Sequence, residues 1–149
     1  MTGSSGRDDV TVTLRLPPNA AHVRTARLIA AAMARRSGVG EDVLDEVRLA
    51  VGEACARAVR VQERQGVVAP VTLEFGEARR FSVSVLDSAK TGSGDEIAAV
   101  AGGLNAAAPW ADTSGDSLGL ALLGAVVQDL EVDQEGDRGT RVTMSWPIS

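Results

Sequence analysis

Cysteine and long apolar runs are almost absent from this chain, and both absences exclude kinds of function. Cys55 is the only cysteine among 149 residues, so the chain can form no internal disulfide and no cysteine cage for a metal ion. No apolar run approaches the roughly 18–20 residues that cross a bilayer, and residues 1–9 lack the apolar segment of a signal peptide. We therefore expect a cytosolic protein without a membrane partner.

Positive charge is also in deficit. The chain has 15 basic and 20 acidic residues and a formal net charge of −5, which disfavours direct binding to nucleic acid. Hydrophobic residues make up 44% and charged residues 23%, a composition typical of a globular protein. The length suits one domain at 10–149, and the Gly, Ser and Asp-rich residues 1–9 are predicted to be a mobile tail.

The apolar pattern along the chain predicts five strands and three helices. Alternating apolar and polar residues indicate half-buried strands, and apolar residues at helical spacing indicate amphipathic helices. The predicted elements are, in order, a strand at 10–16, helices at 20–36 and 41–64, strands at 71–75 and 81–85, a helix at 117–129 and strands at 130–134 and 138–147.

This order predicts an α+β fold, a two-layer sandwich in which helices cover one face of a mainly antiparallel mixed sheet. The other face would carry polar side chains that can meet water, among them Ser84, Arg141 and Thr143. Residues 87–115 are rich in Gly, Ala, Ser and Asp and have only a weak helical candidate at 95–100. So long a stretch inside a compact domain is typical of a functional loop, such as a lid, or of a mobile segment.

Four short sequences stand at positions that point to one known family. They are Glu53-Ala-Cys-Ala-Arg57 on the second helix, Asp87-Ser-Ala-Lys-Thr91 after the first hairpin, Ser114–Leu120 at the start of the third helix, and Gly139-Thr140 in the last hairpin. Together with the order of elements, they resemble the anti-sigma factor and serine kinase family typified by RsbW and SpoIIAB. That family belongs to the GHKL class, which has the Bergerat or histidine-kinase-like ATPase fold, and the resemblance covers roughly residues 10–147.

The family's helix presents Glu-x-x-x-Asn, in which the Glu acts as a base or orients water and the Asn binds magnesium. The resemblance therefore implies a catalytic role for Glu53, but Arg57 stands where the Asn should be. A guanidinium has no lone pair for a cation, so Arg57 cannot replace that ligand. We favour an ion pair between Glu53 and Arg57, four residues apart in the favourable order. Direct contact of Arg57 with phosphate and a solvated side chain remain open.

The other motifs imply a candidate nucleotide site with several departures from the family pattern. Asp87 is implied to accept the adenine amino group, although Ala89 and Thr91 replace the two glycines of that motif. Thr140 is implied to help hold this Asp. Residues Gly115, Leu118 and Gly119 match the glycine turn that opens a phosphate-binding helix. Asp116 departs from that turn, because its carboxylate would repel phosphate.

The resemblance implies partner switching between proteins. Our leading hypothesis is an anti-sigma-type regulator that sequesters a sigma factor and is released by an anti-anti-sigma partner of the STAS type. Its ATP site would be degenerate and its kinase activity lost or weak, so we expect no cofactor; binding of ATP or ADP stays open, and binding of magnesium is not favoured. One alternative is an active ATP-dependent kinase that phosphorylates a serine of the anti-anti-sigma partner.

A second alternative is a ligand-sensing module that uses the altered pocket. Homodimers are usual in the resembling family, so a second copy of the chain is a further candidate partner. The first predicted helix is basic within an acidic chain, which would suit acidic partner surfaces. Its basic residues are Arg24, Arg27, Arg35 and Arg36.

Overall fold

The computed structural model describes residues 10–90, 123–136 and 139–148. The strands are β1 (Val10–Leu16), β2 (Val71–Glu77), β3 (Arg80–Leu86), β4 (Asp129–Gln134) and β5 (Thr140–Pro147), and the long helices are α1 (Val23–Ser37) and α2 (Leu44–Gln65). The sheet order is β1-β2-β3-β5-β4, with every described pair antiparallel. The predicted α+β sandwich with helices on one face is confirmed.

Both long helices begin with a turn of 3-10 helix and end at a glycine. The turns are Ala20–His22 and Glu41–Val43, and the Asn19 side chain caps the first by accepting a hydrogen bond from the Ala21 amide at 2.8 Å. The helices end at Gly38 and Gly66, whose amides bond to carbonyls of the last turn. The first two predicted helices are thus confirmed, apart from their 3-10 starts.

The core lies between the helices and one face of the sheet. Helix α1 turns its small buried residues, including Ala26, Ala30 and Ala34, towards this core. The sheet contributes larger side chains, and Phe81 stacks between Phe75 and Trp146 with ring centroids 6.5 and 6.2 Å apart. Because small helix residues let α1 approach closely, the large aromatic residues of the sheet fill the space between the layers.

The opposite face of the sheet is polar, as predicted, although Ser84, which was expected to meet water, is buried. Ser84 and Thr143 share a hydrogen bond of 2.9 Å across β3 and β5. Arg141 lies between Glu74, at 2.7 Å, and Glu135, at 3.3 Å. Burial lowers the pKa of Arg141, but its hydrogen bonds and charge attraction to the two carboxylates outweigh this and raise it. The partly buried arginine therefore stays charged.

The C-terminal half differs from the prediction in its boundaries. The third helix was predicted to reach Asp129, but the described helical residues are 123–126 and Asp129 already begins β4. The reason is the alternation in Asp129-Leu-Glu-Val-Asp133, which suits an edge strand paired with β5 better than a helix. Strand β5 begins at Thr140 rather than at residue 138. Residues 1–9, 91–122 and the predicted helical candidate at 95–100 lie outside the described residues.

Candidate functional site

Three elements meet at one buried point, the middle of α2, the end of β3 and the start of β5. Strands β3 and β5 are neighbours in the sheet, and their pairing extends one step further because the Asp87 amide donates to the Thr140 carbonyl at 3.1 Å. Helix α2 packs on this part of the sheet and brings Arg57 to the same place. The structure thus brings together Arg57, Asp87 and Thr140, which belong to different sequence motifs. Arg57 and Thr140 are 83 positions apart in the sequence.

The Asp87 carboxylate has both oxygens engaged by the protein. Its Oδ1 accepts hydrogen bonds from the amides of Ala89, at 3.0 Å, and Thr140, at 3.3 Å. Its Oδ2 accepts from Arg57 Nη1 at 2.7 Å. The side chains of Arg57 and Asp87 are 4% and 1% exposed. The ion pair is therefore shielded from water and makes charge-assisted hydrogen bonds in a medium of low dielectric constant.

The predicted partner of Arg57 is wrong. Within the described residues, no hydrogen bond or ion pair joins Glu53 to Arg57, and the guanidinium instead pairs with Asp87, 30 residues further along the chain. A solvated arginine is contradicted as well, since Arg57 is buried. The physical reason is that a helix-surface pair contributes only about 0.2–0.5 kcal/mol, whereas a buried guanidinium requires a buried anion. Glu53 lies one turn away and is partly exposed.

Gly139 allows the close approach of β5 to the end of β3. It has a φ of 93°, and a Cβ placed there would lie 2.7 Å from the Asp87 carbonyl oxygen. Its amide donates to the Ala89 carbonyl at 2.7 Å. Any larger residue would therefore strain the backbone and push the Asp87 segment away. The predicted link between Thr140 and Asp87 is observed, and it is made by the Thr140 backbone amide.

Two glutamines of α2 were missed by the reasoning from sequence. Gln62 is fully buried; its Nε2 donates to the Ala69 carbonyl at 2.7 Å, and its Oε1 accepts from the Ser88 amide at 2.7 Å. Gln65 pairs through its side-chain amide with both the amide and the carbonyl of Lys90. The burial of Gln62 could have been predicted from the sequence, because this polar residue falls four residues after Ala58 on the apolar stripe of α2.

Helix α2 therefore holds the segment 87–90 with three side chains, those of Arg57, Gln62 and Gln65. Of the residues in the predicted nucleotide site, the structure brings together Arg57, Asp87 and Thr140. The remaining ones, Gly115, Leu118 and Gly119, lie outside the described residues, as does Thr91. Ala89, which the resemblance places at a glycine position of the motif, is buried.

Cys55 is not a chemical participant in this site. It is buried in α2, and burial raises the pKa of its thiol to about 12. At neutral pH the thiol is therefore protonated and a poor nucleophile. In the described ranges, no three His, Cys, Asp or Glu side chains are grouped so that they could hold a metal ion.

Comparisons with known proteins agree with this architecture. The family model for the histidine kinase-like ATPase domain matches residues 16–146. The serine-protein kinases RsbW of Bacillus cereus (strain AH187) and of Bacillus mycoides (strain KBAB4) are each 24% identical over 135 residues, covering 90% of this chain and 82% of theirs. The resemblance predicted from the four motifs is therefore confirmed.

A solved structure supports the same fold. One chain of the crystal structure of the SiaB-SiaC complex from Pseudomonas aeruginosa superposes with a TM-score of 0.70 at 12% identity, covering 94% of this chain and 91% of that one. In the part of the chain that the structure describes, no helix is long and apolar enough to cross a membrane.

Proposed function

The chain belongs to the histidine kinase-like ATPase domain family, and from this premise we propose that it is an anti-sigma-type regulator whose nucleotide site is closed. In this proposal it sequesters a sigma factor and releases it when an anti-anti-sigma partner of the STAS type binds. Similarity to the RsbW kinases over 90% of the chain supports the partner-switching role. The geometry around Arg57 and Asp87 supports the proposed loss of kinase activity.

The observation that carries the proposal is the buried ion pair of Arg57 and Asp87. Asp87 is the residue implied to accept the adenine amino group, but its Oδ2 already accepts from Arg57 Nη1 and its Oδ1 from two backbone amides. Arg57 also stands at the position of the magnesium ligand and offers only N–H donors. These two residues therefore do not fit a magnesium nucleotide, so we derive no phosphoryl-transfer step from them.

The surface proposed to bind the sigma factor is the outer side of the two long helices. The aliphatic part of Arg27 lies over Gly52, where an added Cβ would be 2.7 Å from Arg27 Cδ, and this glycine lets the arginine cross α2. Leu28 follows Arg27 in α1 and Leu49 stands three residues before Gly52 in α2, and they are 62% and 51% exposed. Arg24 is exposed one turn before Leu28. Exposed leucines beside arginines would suit a partner helix with apolar and acidic residues.

An active serine kinase is the second candidate function. It is favoured by the kinase names of the relatives and by Glu53, which is partly exposed at the position of the family's catalytic glutamate. For this function to hold, a nucleotide would have to displace Arg57 from Asp87 or bind without that carboxylate.

Calorimetric titration with ATP distinguishes the two candidates. We expect no heat of binding to the wild-type protein, either with magnesium or with the metal chelated, and no transfer of labelled phosphate to a serine of the STAS partner. The Arg57→Asn variant restores the family residue and releases Asp87 Oδ2, so it should gain magnesium-dependent binding if the rest of the site is intact.

The matched control is Arg48→Asn, which removes a partly exposed arginine of the same helix that pairs with Asp45. It should bind no more ATP than the wild type. Tight magnesium-dependent binding of ATP to the wild-type protein would contradict the closed site and make the kinase the better candidate.

A further inference from the structure

The Asp87 carboxylate is a preorganised acceptor that would exist without Arg57. Two backbone amides, those of Ala89 and Thr140, fix Oδ1 from the sheet side. The tight contact of Gly139 with the Asp87 carbonyl, and the bond from the Ser88 amide to Gln62, fix the backbone on both sides of the carboxylate. Only Oδ2 faces α2, where the Arg57 guanidinium donates to it. The acceptor is thus positioned by the fold, and the donor by one long side chain.

We propose that Arg57 acts as a built-in ligand of this acceptor, which is a latent binding site for a guanidinium-type cation. In the native chain the cation is supplied in cis, so that the segment 87–90 is held to α2 without any diffusible ligand. When the side chain is removed, the space and the buried charge remain, and a free alkylguanidinium ion can take its place. The site would then be filled from solution instead of from the chain.

The chemistry of the site selects this ligand class. A carboxylate that is 1% exposed cannot regain its hydration by simple rotation into water, so it needs a cation or a strong donor at the same point. A guanidinium is weakly hydrated and planar, and it can donate while its alkyl stem lies among the apolar residues of α2. Ammonium ions are more strongly hydrated and should bind less well.

The inference uses the same ion pair as the proposed function, but its test uses neither a nucleotide nor a partner. The chain could therefore bind ATP and still be rescued by guanidinium, or be a closed regulator whose truncated site stays empty. Each proposal can fail without the other.

Thermal unfolding of the full-length Arg57→Ala variant tests the inference. This truncation removes Cγ, Cδ and the guanidinium, and ethylguanidinium contains the same atoms. We expect the variant to unfold at a lower temperature than the wild type. Ethylguanidinium at about tenfold above its dissociation constant should restore about 3–5 °C of the melting temperature, at concentrations far below the molar range in which guanidinium salts denature proteins.

Four controls isolate the carboxylate. N-ethylurea has nearly the same shape without the charge and should not restore the melting temperature. Ethylguanidinium should not stabilise the wild type or Arg48→Ala, whose arginine is partly exposed and pairs with a solvent-exposed Asp45. The double variant Arg57→Ala/Asp87→Asn keeps an acceptor for the two amides but lacks the buried charge, so it should lose the rescue.

Two results would overturn the inference. Either ethylguanidinium leaves the melting temperature of Arg57→Ala unchanged, or it raises the melting temperature of the double variant by the same amount. If Arg57→Ala has no cooperative transition alone, its appearance on titration with ethylguanidinium supports the latent site. Continued absence of a transition at the highest concentration that leaves the wild type folded counts against it.

Discussion

At the scale of single residues, the Arg57 and Asp87 side chains are removed from water together. The attraction between them has to offset the loss of hydration of two ions, so replacing such a pair by apolar residues often costs little. Removing only one partner is different, because the remaining charge stays buried, and such changes typically cost about 3–5 kcal/mol. The buried carboxylate of Asp87 thus depends on Arg57 for its compensating charge.

Cys55 provides a residue-scale prediction that depends on pH. Its thiol has a pKa raised from 9.0 to about 12 by burial, so the folded state favours the protonated form. This contribution to stability is fully present below about pH 9 and is lost as the pH rises from there towards 12. We expect a disulfide reagent at pH 8 to label Cys55 only as fast as the protein unfolds, with labelling and loss of helix having the same urea midpoint.

Rapid labelling of the native protein would contradict the buried thiol. The labelling rate in unfolding concentrations of urea gives the reference for a fully accessible cysteine. A plot of rate against urea then separates global unfolding from local opening of α2.

At the scale of elements, most of the fold could be predicted because the chain separates its two periodicities clearly. The β1 sequence Val10–Leu16 alternates strictly, and α2 carries an apolar stripe over six turns, so both were predicted within a few residues. The end of the third helix was predicted wrongly at Asp129, because apolar residues near 126–132 fit both periods over so short a run.

The site was less predictable than the fold, for a physical reason. Sequence spacing along α2 suggested the local pair of Glu53 and Arg57, but burial decides which charges must meet, and burial depends on the packing of α2 on β3 and β5. No local pattern connects Arg57 with Asp87. Gln62 could have been noticed, since one polar residue in an apolar stripe usually has buried partners.

The contact between α2 and the segment 87–90 gives an element-scale prediction. Gln62→Leu keeps much of the side-chain volume but leaves the Ser88 amide and the Ala69 carbonyl without their partner. We expect a loss of about 1–3 kcal/mol in the free energy of unfolding, measured with urea, because unsatisfied buried groups carry the full desolvation cost. Amide hydrogen exchange at Ser88 should accelerate as well.

Gln65→Leu is the matched control for this prediction. Its amide pairs with Lys90 in the same manner but is exposed, so water can replace the lost hydrogen bonds and the cost should stay below about 0.5 kcal/mol. Equal losses for the two variants would mean that the buried hydrogen bonds of Gln62 stabilise the protein no more than the exposed ones of Gln65.

At the scale of the whole molecule, the charges are unevenly placed. The chain has a net charge of −5, yet α1 exposes arginines, whereas the edge strand β4 exposes Glu131 and Asp133. Charge of one sign on an edge strand discourages pairing with other chains. The acidic side chains of β4 are therefore explained without a partner protein. Among the described residues, the basic side of α1, together with the exposed Leu28 and Leu49, is the surface proposed for an acidic partner.

This arrangement predicts a local, salt-dependent interaction with the proposed sigma-factor partner, which would be recovered from cells with the tagged protein. Arg24→Glu reverses a charge beside Leu28 and should weaken binding about 10- to 100-fold, since like charges placed at an interface cost several kcal/mol at most. Wild-type binding should weaken as ionic strength rises, with most of the change in the association rate.

The control variant Arg79→Glu makes the same change of net charge in the exposed turn between β2 and β3. This turn adjoins the C-terminal end of α1, where Ser37 donates to Glu77, whereas Arg24 lies at the N-terminal end of the helix, about 20 Å away along its axis. Surface plasmon resonance should show near-normal binding for Arg79→Glu, because the attraction depends on where the charge lies. Equal weakening of both variants would mean that only the net charge of the protein matters. The outer side of α1 and α2 would then not be the binding surface.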